Sequence, residues 1–386
     1  MNFPEKLRRK IALRINENSL RKLGETHNMI DFCSNDYLGF AISKELKNKT
    51  QHFLDDNKVI QNGATGSRLI SGNHNLYQVV EQELSLIHNV EATLIYNSGY
   101  NANLGLLSCI PQRNDIILYD EFIHASVRDG LQLSNAKSYK FNHNDILDLE
   151  NKLKKLSNKK RGIDEEIYVI TESVFSMDGD SPDIESMLTI CEQYKAHFII
   201  DEAHSLGVFG EKGLGKIQQL KLEQRIFARI ITFGKSLGCH GAAILGSKEL
   251  KQFLINYSRT FIYTTGLVPH SLAAIKSAYD FLLCDEGLIQ KRRLQNNIHY
   301  FHKIVKKMNL NFIKSTSAIH CCIVSGNQKT KEIAKKLGEN GFDVKPILSP
   351  TVTKGKERLR FCIHSYNTFQ EIDKVLEKLV TFVHEY

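Results

Sequence analysis

Apolar positions along this chain fall into two rhythms. Short runs rich in Ile, Val, Leu, Phe and Tyr, namely ATLIYNS, DIILYD, AKSYKF, EIYVITES, HFIIDEA and AAILGS, are bounded by Gly, Asn, Asp or Ser and read as strands. RIFARIITF supplies one more between the last two. LYQVVEQELSLIH repeats its apolar positions with a helical period. Strands alternating with helices predict an α/β fold with a large, doubly wound, mainly parallel sheet. The beginning of the chain departs from this pattern. MNFPEKLRRKIALRI reads as a basic amphipathic helix, followed by a short strand around MIDFCS and the turn-rich SNDYLG. From about Tyr279 a long helix leads into strands near AIHCCIV and RLRFCIH and a closing helix, the pattern of a smaller α+β domain. The expected organisation is an N-terminal segment over 1–45, a large α/β domain over 46–278 and a small C-terminal domain over 279–386.

Composition supports this organisation: 386 residues, 42% hydrophobic and 24% charged, suffice for two cores. No apolar run approaches the roughly 20 residues of a membrane span, and the N-terminus lacks a signal-peptide core and cleavage site. A cytoplasmic protein with no membrane association is expected. The eight cysteines show no CxxC spacing, which suggests reduced thiols and neither a zinc site nor a redox motif. The net charge of +8 is spread along the chain, with short clusters such as KLKKLSNKKR, so no nucleic-acid partner is expected. Diffuse positive charge also suits a polyanionic small ligand.

The chemistry concentrates at strand ends. Asp201 closes the apolar strand of HFIIDEAHSLGVFG, and Lys235 follows 34 residues later in the Gly-rich ITFGKSLGCHGAAILGS. With one strand between them, both groups fall at the carboxyl edge of one sheet, where open α/β folds bind ligands. An amine that can hold an aldehyde, together with a carboxylate that can keep a pyridine nitrogen protonated, points to pyridoxal phosphate. A solvated Lys and a turn-starting Asp would be the ordinary reading of either residue alone. His204, three residues after Asp201, is placed to hydrogen-bond the ring's phenolic oxygen; Thr232, three before Lys235, offers a hydroxyl to a phosphate. The strand ATLIYNS runs into the helix GYNANLGLL, so Gly99 and Tyr100 can lend first-turn N–H groups to that phosphate.

DFCSNDYLGF, GATGSRLISGNHNLY, TESVFSMDGD, DEAHSLGVFGEKGLG, TFGKSLGCHGAAILG and FIYTTGLVPH, in this order, resemble the α-oxoamine synthases of the fold-type I pyridoxal phosphate enzymes. The resemblance runs from about Ser19 to the end of the chain. It implies that His124 stacks on the pyridine ring, that Ser176 lies near the phenolic oxygen or the substrate, and that Glu172 orders the site. It also implies that Asn35 and Arg360 hold the amino acid's carboxylate, Arg360 through its bidentate fork. Thr265 would reach the phosphate of a neighbouring subunit, making a homodimer with a shared active site. The SGNH and SNDYLG wording looks most like the member of the family that condenses L-alanine with a pimeloyl thioester, carried by coenzyme A or a carrier protein, in biotin synthesis. In that member an arginine at the position of Arg21 faces the acyl chain's terminal carboxylate. A second arginine is common just before PPTV, and here Leu348 stands at that place in KPILSPTV.

The implied reaction is a decarboxylative condensation in which Lys235 removes the Cα proton and Asp201 keeps the ring charged. Lys235, Asp201, His204 and His124 are its candidate catalytic residues. Rival readings are a synthase that uses serine with a long acyl thioester or glycine with a short one, an aminotransferase of the same fold, and a non-catalytic regulator.

Overall fold

The computed structural model describes residues 3–21, 23, 28–158 and 165–385. Its strands are β1 (Ile30–Asp31), β2 (Ala92–Tyr96), β3 (Ile116–Asp120), β4 (Lys137–Phe141), β5 (Ile167–Glu172), β6 (His197–Asp201), β7 (Ala228–Thr232), β8 (Ala242–Gly246), β9 (Ile319–Ile323), β10 (Phe342–Asp343), β11 (Lys345–Ile347) and β12 (Arg358–Cys362). The chain divides into two compact units, a larger one of Leu38–Phe175 and Ser181–Lys291 and a smaller one of Met1–Tyr37, Ser176–Asp180 and Arg292–Tyr386.

The larger unit is built on a seven-stranded sheet in the order β2-β8-β7-β6-β5-β3-β4. β8 runs antiparallel to β2 and β7, and the other pairings are parallel. Central strands are buried on both faces, which is why β5 and β7 are apolar almost throughout; β2, at one end of the sheet, is fully buried too. Successive side chains point to opposite faces. Ile170, Ile199 and Ile230 pack on one side with Leu106 of the helix Gly99–Cys109 and Val127 of the helix Ala125–Leu133. Val169, Phe198 and Ile200 pack on the other with Leu149 of Ile146–Ser157 and Met187 of Ile184–Gln193. Helices on both faces of a mainly parallel sheet make this the doubly wound α/β layer that the sequence predicts. β4, the edge strand, exposes four of its five residues.

In the smaller unit β11, β12 and β9 form an antiparallel sheet in that order, and β1 pairs in parallel with β10. The helix Phe369–His384 opens with a capping box between Thr368 and Glu371 and buries Ile372, Val375, Leu376, Leu379 and Phe382 on one face. The N-terminal helix Glu5–Asn16 buries none of its residues.

Unit limits fall at 37/38 and 291/292, beside the expected 45 and 278. Pairing of β1 with β10 ties the N-terminal strand to C-terminal residues rather than leaving it a separate leader. The long helix read from about Tyr279 is two helices, Pro269–Leu283 and Asp285–Val305, broken at Cys284. The cluster KLKKLSNKKR ends the helix Ile146–Ser157, and its last three residues lie outside the described residues. All eight cysteines are free. No helix among the described residues is long and apolar enough to cross a membrane.

Candidate active site

The carboxyl ends of β3, β5, β6 and β7 carry the polar side chains of the larger unit. Glu172 ends β5 directly opposite Asp201, which ends β6, and Thr232 ends β7. After β7 the chain turns through Gly234, bringing Lys235 Nζ to 2.7 Å from His204 Nε2. Two close approaches fix that arrangement. Ser236 Oγ donates to the carbonyl of Leu206 at 2.6 Å. Gly207, at φ +79°, presses so closely on this segment that an added Cβ would lie 2.3 Å from Ser236 Cβ. Only glycine accepts both that backbone conformation and that contact.

Asp201 is 6% exposed. Its Oδ1 accepts the N–H of Ala203 at 2.8 Å and its Oδ2 accepts Asn103 Nδ2 at 2.8 Å. Among the described residues it has no ion-pair partner. Glu172, 4% exposed, accepts the N–H of His124 at 2.5 Å. Burial, and then the charge of Asp201, push the pKa of Glu172 up to about 8. His124 caps the helix Ala125–Leu133, its Nδ1 accepting the N–H of Ser126 at 3.2 Å and lying 2.8 Å from Ser126 Oγ. Burial lowers the pKa of His124, with Asp201 opposing and Lys235 reinforcing that shift, although the residue as a whole remains exposed.

The helix Gly99–Cys109 begins where β2 ends. Ser98 caps it by accepting the N–H of Asn101 at 3.2 Å, and the N–H groups of Gly99 and Tyr100 have no acceptor among the described residues. An added Cβ on Gly99 would stand 3.8 Å from Thr232 Oγ1, so the helix start and the threonine face one another. Thr232 Oγ1 donates to the carbonyl of Gly241 at 3.2 Å. The hydroxyl of Tyr100 bonds to Asp129. Thr265 is exposed, and its carbonyl accepts Asn97 Nδ2 at 2.5 Å beside the same helix start.

The remaining candidates belong to the smaller unit. Arg360, 6% exposed, donates from Nε to the carbonyl of Ser176 at 2.7 Å and from Nη2 to Asn35 Oδ1 at 2.9 Å. These two acceptors orient the guanidinium and leave it further donors. Ser176 belongs to a segment held by Arg358, which pairs with Asp178 at 2.5 Å, and by Ser315 and Ser317, whose hydroxyls each donate to the carbonyl of Gly179 at 2.8 Å. Arg21 is exposed and donates to Thr351 Oγ1 at 3.3 Å; Thr351 in turn donates its N–H to the carbonyl of Leu348 at 2.9 Å.

The larger unit thus gathers Lys235, His204, Asp201, Glu172, His124, Thr232, Gly99 and Tyr100, while Arg21, Asn35, Ser176 and Arg360 are grouped in the smaller one. Sequence reasoning passed over Asn103 and Ser126. Asn103 stands one helical turn after Gly99 and Ser126 two residues after His124, spacings that could have singled them out.

These residues fit pyridoxal phosphate. A buried carboxylate without a cation is a seat for a protonated pyridine nitrogen. A lysine amine within reach of an imidazole suits an aldehyde, an exposed imidazole suits a flat ring, and two unspent N–H groups at a helix start suit a phosphate.

Residues 27–379 match the family model of aminotransferase class I and II. The 8-amino-7-oxononanoate synthase of Emericella nidulans is 36% identical over 371 residues, spanning 92% of this chain and 89% of that protein. The structure of 8-amino-7-oxononanoate synthase from Francisella tularensis superposes with a TM-score of 0.77 at 28% identity, covering 92% of this chain and 98% of that one. A serine palmitoyltransferase from Sphingomonas wittichii shares the fold, with a TM-score of 0.85 at 24% identity over 92% and 88% of the two chains. The chain belongs to the aminotransferase class I and II family and, within it, to the α-oxoamine synthases, fold-type I enzymes that use pyridoxal phosphate to join an amino acid to an acyl thioester.

Proposed function

We propose that this enzyme condenses L-alanine with a pimeloyl thioester, releasing carbon dioxide and the thiol and giving 8-amino-7-oxononanoate, the compound named in its Emericella relative. The observation that carries the choice of acyl group is Arg21, whose guanidinium lies on Thr351 of the SPTV turn and offers a cation to a terminal carboxylate. Leu348, joined to Thr351 by the turn, favours a second reading in which the acyl tail is uncharged.

Pyridoxal phosphate, when bound, supplies an electron sink for the pair released at the amino acid's Cα. Lys235 Nζ would hold its aldehyde carbon. Asp201 would hold the ring nitrogen in its protonated form, since a buried carboxylate favours a proton on the partner it faces. His204 would donate to the phenolic oxygen, with Ser176 assigned to the same neighbourhood, and His124 would cover the ring. Gly99, Tyr100 and Thr232 would take the phosphate, joined by Thr265 from a second subunit in a homodimer. Arg360 and Asn35 would bind the amino acid's carboxylate and so orient its Cα–H bond. Lys235 Nζ, once free, takes that proton as general base, and His204 at 2.7 Å helps to keep the amine in place.

The test is substrate competition. Enzyme loaded with pyridoxal phosphate is supplied with L-alanine, L-serine and glycine, each with pimeloyl-, palmitoyl- or acetyl-coenzyme A, and the products are identified by mass spectrometry. Preference for L-alanine with the pimeloyl thioester supports the proposal. Preference for a tail without a carboxylate, or for serine or glycine, overturns the substrate assignment.

A further inference from the structure

Four side chains of the larger unit form one continuous chain of hydrogen bonds beneath the ligand-facing groups. Asn103 Nδ2 donates one hydrogen to Asp201 Oδ2 at 2.8 Å and the other to Ser126 Oγ at 3.0 Å. Ser126 Oγ lies 2.8 Å from His124 Nδ1. Asn103 is 2% exposed and Ser126 1%, so water does not compete for these bonds.

Direction can be assigned along the chain from donor and acceptor capacities alone. The carboxylate of Asp201 only accepts, which fixes the asparagine with its nitrogen toward it; a flipped amide would set oxygen against oxygen. The buried Oδ1 of Asn103 is consequently left with no partner, a penalty that the two donor bonds must outweigh. Ser126 Oγ accepts from Asn103 and so has its own hydrogen free for His124 Nδ1. That nitrogen already receives the N–H of Ser126 at 3.2 Å and therefore presents a lone pair. The proton of the neutral imidazole then sits on Nε2.

We propose that Asn103 and Ser126 are positioning residues that lock Asp201 as an oriented carboxylate and His124 as the Nε2–H tautomer, coupling the two groups assigned to the ring of pyridoxal phosphate. The proposal rests on the functional reading above, which assigns Asp201 and His124 to that ring. Asn103 joins them because it stands in the helix whose first turn is assigned to the phosphate. One short helix thereby sets both ends of the cofactor seat.

Asn103→Ala and Ser126→Ala, singly and together, test this on the full chain. Cofactor affinity is read by titrating pyridoxal phosphate and following its absorbance, and the tautomer of His124 by nitrogen NMR of histidine-labelled enzyme. Loss of a hydrogen bond to a charged group predicts about tenfold weaker cofactor binding in Asn103→Ala. The double variant should lose less than the product of the single losses, because both break one chain. Ser126→Ala removes the hydroxyl donor but keeps the backbone N–H on Nδ1, so His124 should stay Nε2–H while its Nδ1 nitrogen signal shifts with the lost hydrogen bond. Unchanged cofactor affinity, independent single losses, or an unshifted Nδ1 signal of His124 in Ser126→Ala would each overturn the proposal. Borohydride reduction of the parent enzyme separates the two levels: no cofactor on Lys235 sinks the functional reading itself, whereas labelled Lys235 with indifferent Asn103 and Ser126 variants sinks only this inference. A variant that fails to fold is replaced by Asn103→Asp, which sets a second carboxylate against Asp201 Oδ2; it should bind the cofactor at least about tenfold more weakly, and parental affinity would overturn the lock.

Discussion

Replacing Gly207 by alanine should damage catalysis from a position that touches no substrate. Two costs follow from the structure. At φ +79° a residue with a Cβ meets its own carbonyl, a strain of about 1–2 kcal/mol. The new Cβ would also lie 2.3 Å from Ser236 Cβ. Carbon atoms settle about 3.5–4.0 Å apart, so the two segments must separate by roughly 1 Å or more. Ser236 adjoins Lys235, whose Nζ lies 2.7 Å from His204 Nε2, so the displacement is delivered to the proposed base. A misplacement of about 1 Å is worth on the order of a hundredfold in rate. Gly207→Ala is thus expected to lose about a hundredfold in kcat/KM for the amino acid and about 1–3 kcal/mol of stability. Steady-state kinetics and thermal melting of enzyme loaded with cofactor measure both. Gly341→Ala is the control: its φ of +87° imposes the same backbone strain, with nothing within 4 Å of the added carbon. It should lose stability and keep its activity. Parental kcat/KM in a folded Gly207→Ala enzyme would refute the claim that this contact places Lys235.

Other consequences can be checked independently. Arg229 and Glu202, 1% and 0% exposed, are paired at 2.6 Å just behind Asp201; Arg229→Ala strands a buried carboxylate and should cost about 3–5 kcal/mol in urea unfolding, whereas Arg229→Met with Glu202→Leu should cost far less. Because the folded pKa of Glu172 is raised from 4.5 to about 8, the native state holds a proton that the unfolded chain releases in that window, so this group makes stability fall as pH rises from 4.5 toward 8. Melting curves against pH should therefore be flatter for Glu172→Gln; an identical slope would remove Glu172 as the source. Arg360→Lys forfeits the fork held by Ser176 and Asn35 and should raise KM for the amino acid about tenfold, with a smaller change in kcat.

The buried strands were legible because a parallel sheet covered on both faces demands nearly unbroken apolar runs, as IYVIT of β5 shows. Lys235 and Asp201 were legible for a related reason: a polar group that abruptly ends such a run sits at the sheet edge. Asn103 was not, because an asparagine inside a helix reads as an indifferent position until a carboxylate 98 residues away is folded against it. Membership of Ser176–Asp180 in the smaller unit was equally hidden, resting on Arg358, Ser315 and Ser317 far along the chain. The break at Cys284 separates two helices by one residue without proline or glycine, so their apolar periods run together in the sequence.

The most direct test of the central claim is to load the enzyme with pyridoxal phosphate, reduce it with borohydride, digest it and locate the phosphopyridoxyl group by mass spectrometry. The account predicts the group on Lys235 and on no other lysine, and Lys235→Ala should neither take up the label nor form product from amino acid and acyl thioester. Label at a different lysine, or a Lys235→Ala enzyme that still turns over, would contradict it.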